Sequence, residues 1–418
     1  MEVVRLDLPN KEKWDTEKYW LTPYNWIEEV RSKITPPERV VLHDATIREG
    51  QQMPGVAFKR DEIVMIAKAL DELGIDRIEL IPFLSKDDEE AAKELVNMGL
   101  NAKLLSFVSW KKEDTDLALK LDLEGIVLDF VGNPWQGKVF WNLKPEEIIE
   151  RGLNAALYAK EHGLYVVAMP WDDFKAPLEF VEKNVKALVE AHVDRITICD
   201  TYGDALPWAM EYVMKRLKEA AGKTPLELHI HNDFGLATAG ALVAVASGIE
   251  GLHVTVNGLG ERVGLLSLEE IAVALEFLLG VKTNIKLEKL YEVSKIVEEI
   301  SKVKVAVNKP IVGENQFKYT AGWITWMHRK AREAGKLTGM LPFMPEAVGR
   351  KLEYVVSKGS GTSFVAERLA ELGITVEDPE VMRKIAYKVK ETANTLKSTV
   401  SDSLLIRIAR EVLEKEGK

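Results

Sequence analysis

The chain has 418 residues, of which 46% are hydrophobic and 29% charged, so it can bury a large core and is not an intrinsically disordered protein. Its formal net charge of −10 disfavours a dedicated nucleic-acid binder, and no apolar run approaches the roughly 18–20 residues that cross a bilayer. The single cysteine, Cys199, excludes an internal disulfide framework, and together with the polar start of the chain it predicts a cytoplasmic protein.

Residues 1–37 form a lead rich in aromatic side chains, which precedes the first predicted strand. Its aromatic residues include Trp14, Tyr19, Trp20, Tyr24 and Trp26. The Pro36–Pro37 pair marks the junction with the next domain. We expect these side chains to pack as a cap on that domain or in a contact between subunits.

From residue 38 to residue 285 the chain alternates between two patterns. Apolar runs rich in β-branched residues, which indicate strands, occur eight times, at 40–46, 76–83, 101–109, 125–132, 164–171, 194–201, 226–233 and 251–258. Segments with helical periodicity, such as 59–73, separate them. Eight such units predict an α/β fold, the (β/α)8 TIM barrel. An open doubly wound sheet is the alternative, but it needs a glycine-rich phosphate turn after the first strand, where residues 46–50 are instead charged.

Unusual polar residues cluster where a barrel carries its chemistry, at the carboxyl ends of the strands. Arg48 and Glu49 follow the first strand, and Thr201 ends the sixth. His229 and His231 lie two residues apart on the seventh strand, so both point to one face, which in a barrel is the lumen. Two imidazoles on a rigid strand make half a site for a divalent metal, and Glu49 is the best-placed carboxylate to complete it. Two core histidines are the alternative, which the barrel context disfavours.

Three further residues at these strand ends have candidate roles. Arg48 is a candidate to stabilise a developing enolate oxygen, although a surface ion pair with Glu49 is the simpler alternative. The Thr201 hydroxyl is a candidate to bind a substrate carboxylate, or else to stabilise a turn. Cys199 lies inside an apolar run, which favours a core position over a nucleophile.

After residue 285 the alternation of strands and helices stops. An amphipathic helix is predicted over 286–302, followed by an extended segment over 303–312. Further helices are predicted near 325–334, 343–349, 361–372, 378–397 and 401–415. Residues 286–418 therefore form a mostly helical C-terminal extension.

Four sequence motifs resemble those of the DRE-TIM metallolyases and occur in the same order. They are residues 43–52 (HDATIREGQQ), which resemble D-x-T-L-R-[DE]-G-x-Q; 199–203 (CDTYG), which resemble D-T-x-G; 229–237 (HIHNDFGLA), which resemble H-x-H-N-D-x-G-x-A; and 257–264 (NGLGERVG), which resemble N-G-x-G-E-R-x-G of the synthase branch. Residues 308–315 and 358–361 resemble segments of the synthases' linker subdomains. The superfamily includes isopropylmalate, homocitrate and citramalate synthases and hydroxymethylglutaryl-CoA lyase, and the resemblance covers roughly residues 38–415.

The resemblance implies a metal-dependent acyltransferase that condenses acetyl-CoA, or another acyl-CoA, with a 2-oxo acid. The metal ligands that it implies are Glu49, His229 and His231, holding Zn²⁺, Mn²⁺, Fe²⁺ or Mg²⁺. Arg48 would stabilise the enolate or the 2-oxo oxygen, and it would bind the 2-oxo acid together with Gln52 and Thr201. The resemblance also implies a homodimer. The alternatives are a metal-dependent carbon–carbon lyase of the hydroxymethylglutaryl-CoA lyase type and a non-catalytic paralogue that binds metabolites.

The chain departs from the synthase pattern in three places. The synthases have histidines at two linker positions where residues 313–324 (GENQFKYTAGWI) have Tyr319 and Ile324. We therefore expect Tyr319 to take the acid–base role, with His328, one helical turn beyond Ile324, as the alternative. Leu265 stands where an asparagine near the metal is common.

The third departure concerns the ends of the third and fourth predicted strands. Neither offers an arginine or histidine that would pair with a second substrate carboxylate, which favours a small or apolar 2-oxo acid over 2-oxoglutarate. Trp110, Trp135 and Trp141 are candidates to line the pocket for such a substrate.

Overall fold

The structure is a computed structural model that describes residues 9–320 and 322–417. These residues divide into two compact units. The larger unit comprises the described residues up to Trp14 together with Thr22–Val305, and the smaller unit comprises Asp15–Leu21 and the residues from Ala306 onward. In the described part of the chain, no helix combines the length and the apolar character that crossing a membrane requires.

Eight parallel strands of the larger unit close into a barrel in sequence order. They are β1 (Val41–Asp44), β2 (Arg77–Leu80), β3 (Lys103–Ser109), β4 (Gly125–Val131), β5 (Tyr165–Trp171), β6 (Arg195–Asp200), β7 (Leu226–Ile230) and β8 (Gly251–Val254). The barrel closes because β8 pairs with β1, from Val41 opposite Gly251 to Asp44 opposite Val254. The predicted (β/α)8 barrel is confirmed.

Helices follow the strands around this barrel. The described α-helices of the larger unit are α1 (Lys11–Trp14), α2 (Glu28–Arg31), α3 (Arg60–Leu73), α4 (Lys86–Val96), α5 (Lys112–Lys120), α6 (Pro134–Trp141), α7 (Pro145–Glu161), α8 (Leu178–Glu190), α9 (Pro207–Ala221), α10 (Ala237–Ala246), α11 (Leu268–Ala274) and α12 (Leu290–Ser301). Helix α3 shows why they form here: Ile63, Ile66 and Leu70 recur at helical spacing and are fully buried, and burial of each is worth roughly 1.5–3 kcal/mol. Gly74 then ends the helix in the left-handed conformation, at φ +97°.

The barrel interior is apolar on one side and polar on the other. Strands β3 to β6 contribute a buried apolar cluster that contains Leu105, Val127, Val167, Met169 and Cys199. The predicted core position of Cys199 is therefore confirmed. Strands β1, β2, β7 and β8 instead place buried histidine, glutamate and arginine side chains inside the barrel. The candidate site lies on this polar side, at the carboxyl ends of β1 and β7.

The smaller unit is mostly helical, as predicted for the extension. Its described helices and strands are β9 (Lys318–Tyr319), α13 (Gly322–Glu333), β10 (Glu353–Tyr354), α14 (Thr362–Glu371), α15 (Pro379–Leu396) and α16 (Asp402–Lys415). Side chains of α14, α15 and α16 share a core that includes the fully buried Leu369, Ile385 and Leu405. Ser401 caps α16 by accepting a hydrogen bond from the backbone N–H of Leu404.

Candidate active site

The turn after β1 presents two of the predicted site residues. The Asp44 carboxylate accepts hydrogen bonds from the backbone N–H of Thr46 at 2.8 Å and from its hydroxyl at 3.0 Å, which bends the chain at the end of the strand. The Thr46 hydroxyl oxygen also accepts the N–H of Val256, which follows β8. A 3₁₀ turn over Glu49–Gln52 comes next, so Arg48 and Glu49 lie at the mouth of the barrel.

Glu49, His229 and His231 come together as the sequence predicts. Their potential ligand atoms all lie within 4.8 Å of one another. The Nε2 atoms of the two histidines are 3.4 Å apart, and the Oε1 atom of Glu49 is 3.8 Å from Nε2 of His231. The three side chains are buried, with at most 5% of each residue exposed. Glu49 lies in the turn after β1, His229 lies on β7 and His231 directly follows β7; only β8 separates these two strands in the barrel.

The chemistry of these donors fits a divalent metal ion. Burial lowers the pKa of His231 to about 4 and holds the pKa of His229 well below its ordinary value, so both imidazoles are neutral at pH 7 and carry a free lone pair. Two nitrogens bound about 2.1 Å from one tetrahedral ion lie about 3.4 Å apart, which is the separation of the two Nε2 atoms here. Glu49 adds a carboxylate oxygen. Leu265 is buried beside this site and offers no ligand atom.

Arg48 is held rigidly beside the three donors. Its Nε atom donates to Oε1 of Glu79 at 2.8 Å, and its Nη1 atom donates to Oε1 of Gln52 at 3.1 Å and to Glu49. Its guanidinium also lies over the Phe107 ring, 4.4 Å from the centroid. The predicted neighbours Gln52 and Glu49 therefore orient the guanidinium, which keeps a full positive charge at the mouth of the barrel.

Glu79 is a residue of this site that the sequence analysis missed. It is fully buried on β2, where it accepts hydrogen bonds from Arg48 and from Nε2 of His43, the latter at 3.0 Å. The Arg48 guanidinium and His43 lower the pKa of its carboxyl below the ordinary value, although burial opposes them. A glutamate in the middle of an apolar strand was the available sequence signal, because such a residue needs a buried partner.

A cavity of about 340 Å³ opens above these residues. Its described lining includes Arg48, Glu49, Gln52, Thr201, His229 and His231 among the predicted residues, and Phe107, Asp129, Met169 and Trp171 among the others. The tryptophan in this lining is therefore Trp171. Trp110 and Trp141 instead pack edge to face, with their ring centroids 5.7 Å apart, and Trp135 is exposed. The proposal that those three tryptophans line the pocket is not supported.

Thr201 and Asp129 add polar groups to the cavity wall. The Thr201 hydroxyl oxygen accepts the backbone N–H of Asp172 at 2.9 Å, which leaves its hydroxyl hydrogen available to donate. Burial raises the pKa of Asp129, at the end of β4, to about 7, although the Arg48 guanidinium opposes the shift. Asp129 had no role in the sequence analysis, because a carboxyl at a strand end does not by itself reveal which way it points.

The two acid–base candidates of the extension lie together in the smaller unit. His328 on α13 is fully buried, with Nδ1 3.1 Å from the Tyr354 hydroxyl and Nε2 3.3 Å from the Met340 carbonyl oxygen. Because a carbonyl only accepts, Nε2 carries the proton and Nδ1 accepts from Tyr354. The Tyr319 ring stands edge to face against His328 and is only partly buried. Both ring nitrogens of His328 are thus engaged, which favours Tyr319.

Comparisons with known proteins show the family to which this chain is related. Residues 39–297 match the family model described as HMGL-like. Homocitrate synthase AksA of Methanocaldococcus jannaschii is 39% identical over 91% of this chain and 92% of its own length. From the same organism, (R)-citramalate synthase CimA is 39% identical over 90% of this chain and 75% of its own length. The 2-isopropylmalate synthase of that organism is 38% identical over 84% of this chain and 67% of its own length.

The similar solved structures share the fold. The HMG-CoA lyase of Bacillus subtilis aligns with a TM-score of 0.59 at 22% identity, over 67% of this chain and 98% of the lyase. The carboxyl transferase domain of Rhizobium etli pyruvate carboxylase aligns with a TM-score of 0.51 at 20% identity, over 72% of this chain and 54% of that one.

Proposed function

The chain belongs to the HMGL-like family, and on that premise we propose that it is an acyltransferase that condenses acetyl-CoA with a 2-oxo acid, after which water hydrolyses the thioester and releases CoA. Relatives that share 38–39% of its sequence over most of its length are homocitrate, citramalate and isopropylmalate synthases. The observation that carries the proposal is the convergence of Arg48, Glu49, His229 and His231 on one cavity at the carboxyl ends of the strands.

Each residue of the site has a proposed task in the condensation. Glu49, His229 and His231 would hold the divalent ion, which when bound supplies a Lewis acid for the 2-oxo carbonyl. Arg48 would stabilise the negative charge that develops on the reacting oxygen, because its guanidinium is fixed before the reaction begins. Thr201 would donate its hydroxyl hydrogen to the carboxylate of the 2-oxo acid.

Proton transfer is assigned to Tyr319 on the resemblance of residues 313–324 to the synthases' linker segment. Burial raises the pKa of Tyr319 and lowers that of His328, so at neutral pH the tyrosine is protonated and the histidine is neutral. A protonated tyrosine suits the role of a general acid better than that of a base. We also propose that the enzyme is cytoplasmic, which its single cysteine, Cys199, favours, and, on the resemblance, that it acts as a homodimer.

The cavity favours a small or apolar 2-oxo acid. Phe107, Met169 and Trp171 contribute apolar surface, and Asp129 adds a carboxyl to the same wall. Arg262 also lines the cavity, but its guanidinium is already paired with Asp233. A second substrate carboxylate, as in 2-oxoglutarate, would be repelled once Asp129 is ionised. Pyruvate and branched-chain 2-oxo acids therefore suit this cavity better than 2-oxoglutarate does.

A thiol-release assay tests the reaction and its substrate together. With acetyl-CoA and a panel of 2-oxo acids, we expect release of CoA that depends on a divalent metal and on a small or apolar 2-oxo acid. A chelator should stop the release, and added metal should restore it. Cleavage of a hydroxyacyl-CoA without consumption of acetyl-CoA would instead identify a lyase, and silence across the panel with metal bound would favour a non-catalytic paralogue.

The titration of Asp129 predicts how substrate binding depends on pH. Burial raises its pKa to about 7, with Arg48 favouring the ionised form and Glu79 and Glu49 opposing it. If the neutral carboxyl admits the anionic substrate, the competent fraction falls from about 0.9 at pH 6 to about 0.1 at pH 8, and the KM for the 2-oxo acid rises about tenfold. Asp129→Asn should flatten this rise. The same rise in KM in Asp129→Asn would contradict the assignment.

A further inference from the structure

A row of buried side chains leads from His229 into the barrel core. The Nδ1 atom of His229 lies 3.3 Å from Nδ1 of His253 on β8, and Nε2 of His253 lies 3.3 Å from Oε2 of Glu227 on β7. His253 and Glu227 are fully buried. Gly251, paired with Glu227 across the two strands, makes room for the carboxylate, because a Cβ atom at Gly251 would lie 2.4 Å from Oε1.

Two arginines keep Glu227 ionised. Arg77 from β2 and Arg195 from β6 both donate to its Oε1 atom, at 2.5 Å and 2.9 Å. The second oxygen, Oε2, faces His253. Because an ionised carboxylate only accepts hydrogen bonds, Nε2 of His253 must carry a proton to be stable there. The Thr197 hydroxyl lies 3.2 Å from the same nitrogen. A proton on Nε2 of His253 is compatible with this contact, because a hydroxyl oxygen can accept a hydrogen bond.

The proton positions then follow along the row. A neutral imidazole with its proton on Nε2 has a bare lone pair on Nδ1, so Nδ1 of His253 accepts and Nδ1 of His229 donates. This leaves Nε2 of His229 without a proton. That nitrogen is the one that faces Nε2 of His231, so its lone pair points toward the group of donors that includes Glu49. The reverse orientation would set a lone pair of His253 against the Glu227 carboxylate.

We propose that Glu227 and His253 are positioning residues that fix the tautomer of His229, so that its Nε2 atom is ready to bind the divalent ion. The proposal rests on the proposed function, since the ion is the one that Glu49, His229 and His231 would hold. Ligand histidines gain basicity and a fixed orientation when the second ring nitrogen donates to an acceptor, and loss of such partners typically lowers metal affinity 10–100-fold. Here the acceptor is a second histidine, backed by a carboxylate that two arginines hold.

Metal affinity in three variants tests this arrangement. In His253→Leu, Nδ1 of His229 loses its acceptor, and we expect the dissociation constant for Co²⁺ to rise about 10–100-fold. In His253→Gln, the amide oxygen can accept from His229 while the amide nitrogen donates to Glu227, so the affinity should stay within about threefold of the wild type. Leu252→Ala is the control for packing, because Leu252 is fully buried next to His253 on β8 and has no polar atom that could orient His229. If His253 only fills space, His253→Leu and Leu252→Ala will lose equal affinity.

The tautomer of His229 can be measured without any metal or substrate. The chain has only seven histidines, so selective ¹⁵N labelling gives a readable NMR spectrum. We expect the proton of His229 on Nδ1 in the metal-free wild type. A proton on Nε2, or tight Co²⁺ binding by a folded His253→Leu protein, would overturn the proposal. If His253→Leu does not fold, the position of the His229 proton in the wild-type protein is the measurement that decides between the two outcomes.

The two proposals fail in distinguishable ways. A wild-type protein that binds no divalent ion would contradict the proposed function, whereas the NMR measurement would still report on the row of side chains. A wild-type protein that binds the ion and releases CoA, beside a His253→Leu variant of unchanged metal affinity, would contradict only the role of His253 and Glu227.

Discussion

Replacing Glu49 or His229 by alanine is expected to remove both the metal and the activity. Each substitution deletes one of the three donors that meet within 4.8 Å, and the two donors that remain leave the ion too weakly held to survive dialysis. A Lewis acid contributes several kcal/mol to stabilisation of the transition state, so kcat should fall by about 10³-fold or more. Metal content per chain after dialysis and the rate of CoA release are the two measurements.

The matched control for these variants is a histidine outside the site. His162 is exposed at the end of α7, where its Nδ1 atom contacts the carbonyl oxygen of Tyr158. His162→Ala should keep its full metal content and its activity. Unchanged metal content in either Glu49→Ala or His229→Ala would remove these residues from the proposed site. Thermal unfolding of each variant separates loss of the ion from loss of the fold.

Replacing Arg48 by lysine is expected to cause the second large effect. A lysine keeps a positive charge beside Glu79 and Glu49, but its ammonium group cannot reproduce the planar set of donors that reaches Glu79, Gln52 and the cavity together. Removing one donor to a developing oxyanion typically costs about 10²–10³-fold in kcat. We expect a loss of that size in kcat with near-normal metal content, which distinguishes this variant from the ligand variants.

Two further substitutions define what the Arg48 result means. Glu79→Gln keeps the shape of the side chain that accepts from Arg48 but removes its charge. It should lower kcat less than Arg48→Lys does, because Glu79 acts only through the Arg48 guanidinium. Arg39 pairs with Asp76 near the start of β1, at the opposite end of the strand from Arg48, and Arg39→Lys should leave kcat unchanged. A kcat for Arg48→Lys within a few-fold of the wild type would contradict the proposed role in charge stabilisation.

The sequence predicted those features that depend on residues close to one another along the chain. The alternation of apolar runs and helical segments predicted all eight strands of the barrel, because each pattern depends only on residues a few positions apart. His229 and His231 share a face because side chains alternate along a strand. Glu49 joined them in the prediction because closure of an eight-stranded barrel brings the first and seventh strands close to each other.

The sequence by itself thus determined the barrel, the three candidate metal ligands and the position of Arg48 at the mouth. Only the tertiary structure decided what surrounds them: Glu79 behind Arg48, the carboxyl of Asp129 in the cavity wall, and the row from His229 through His253 to Glu227. The physical reason is that these contacts join different strands across the barrel interior. Strand register fixes which of these buried side chains meet, and it leaves no trace in the spacing of residues along the chain.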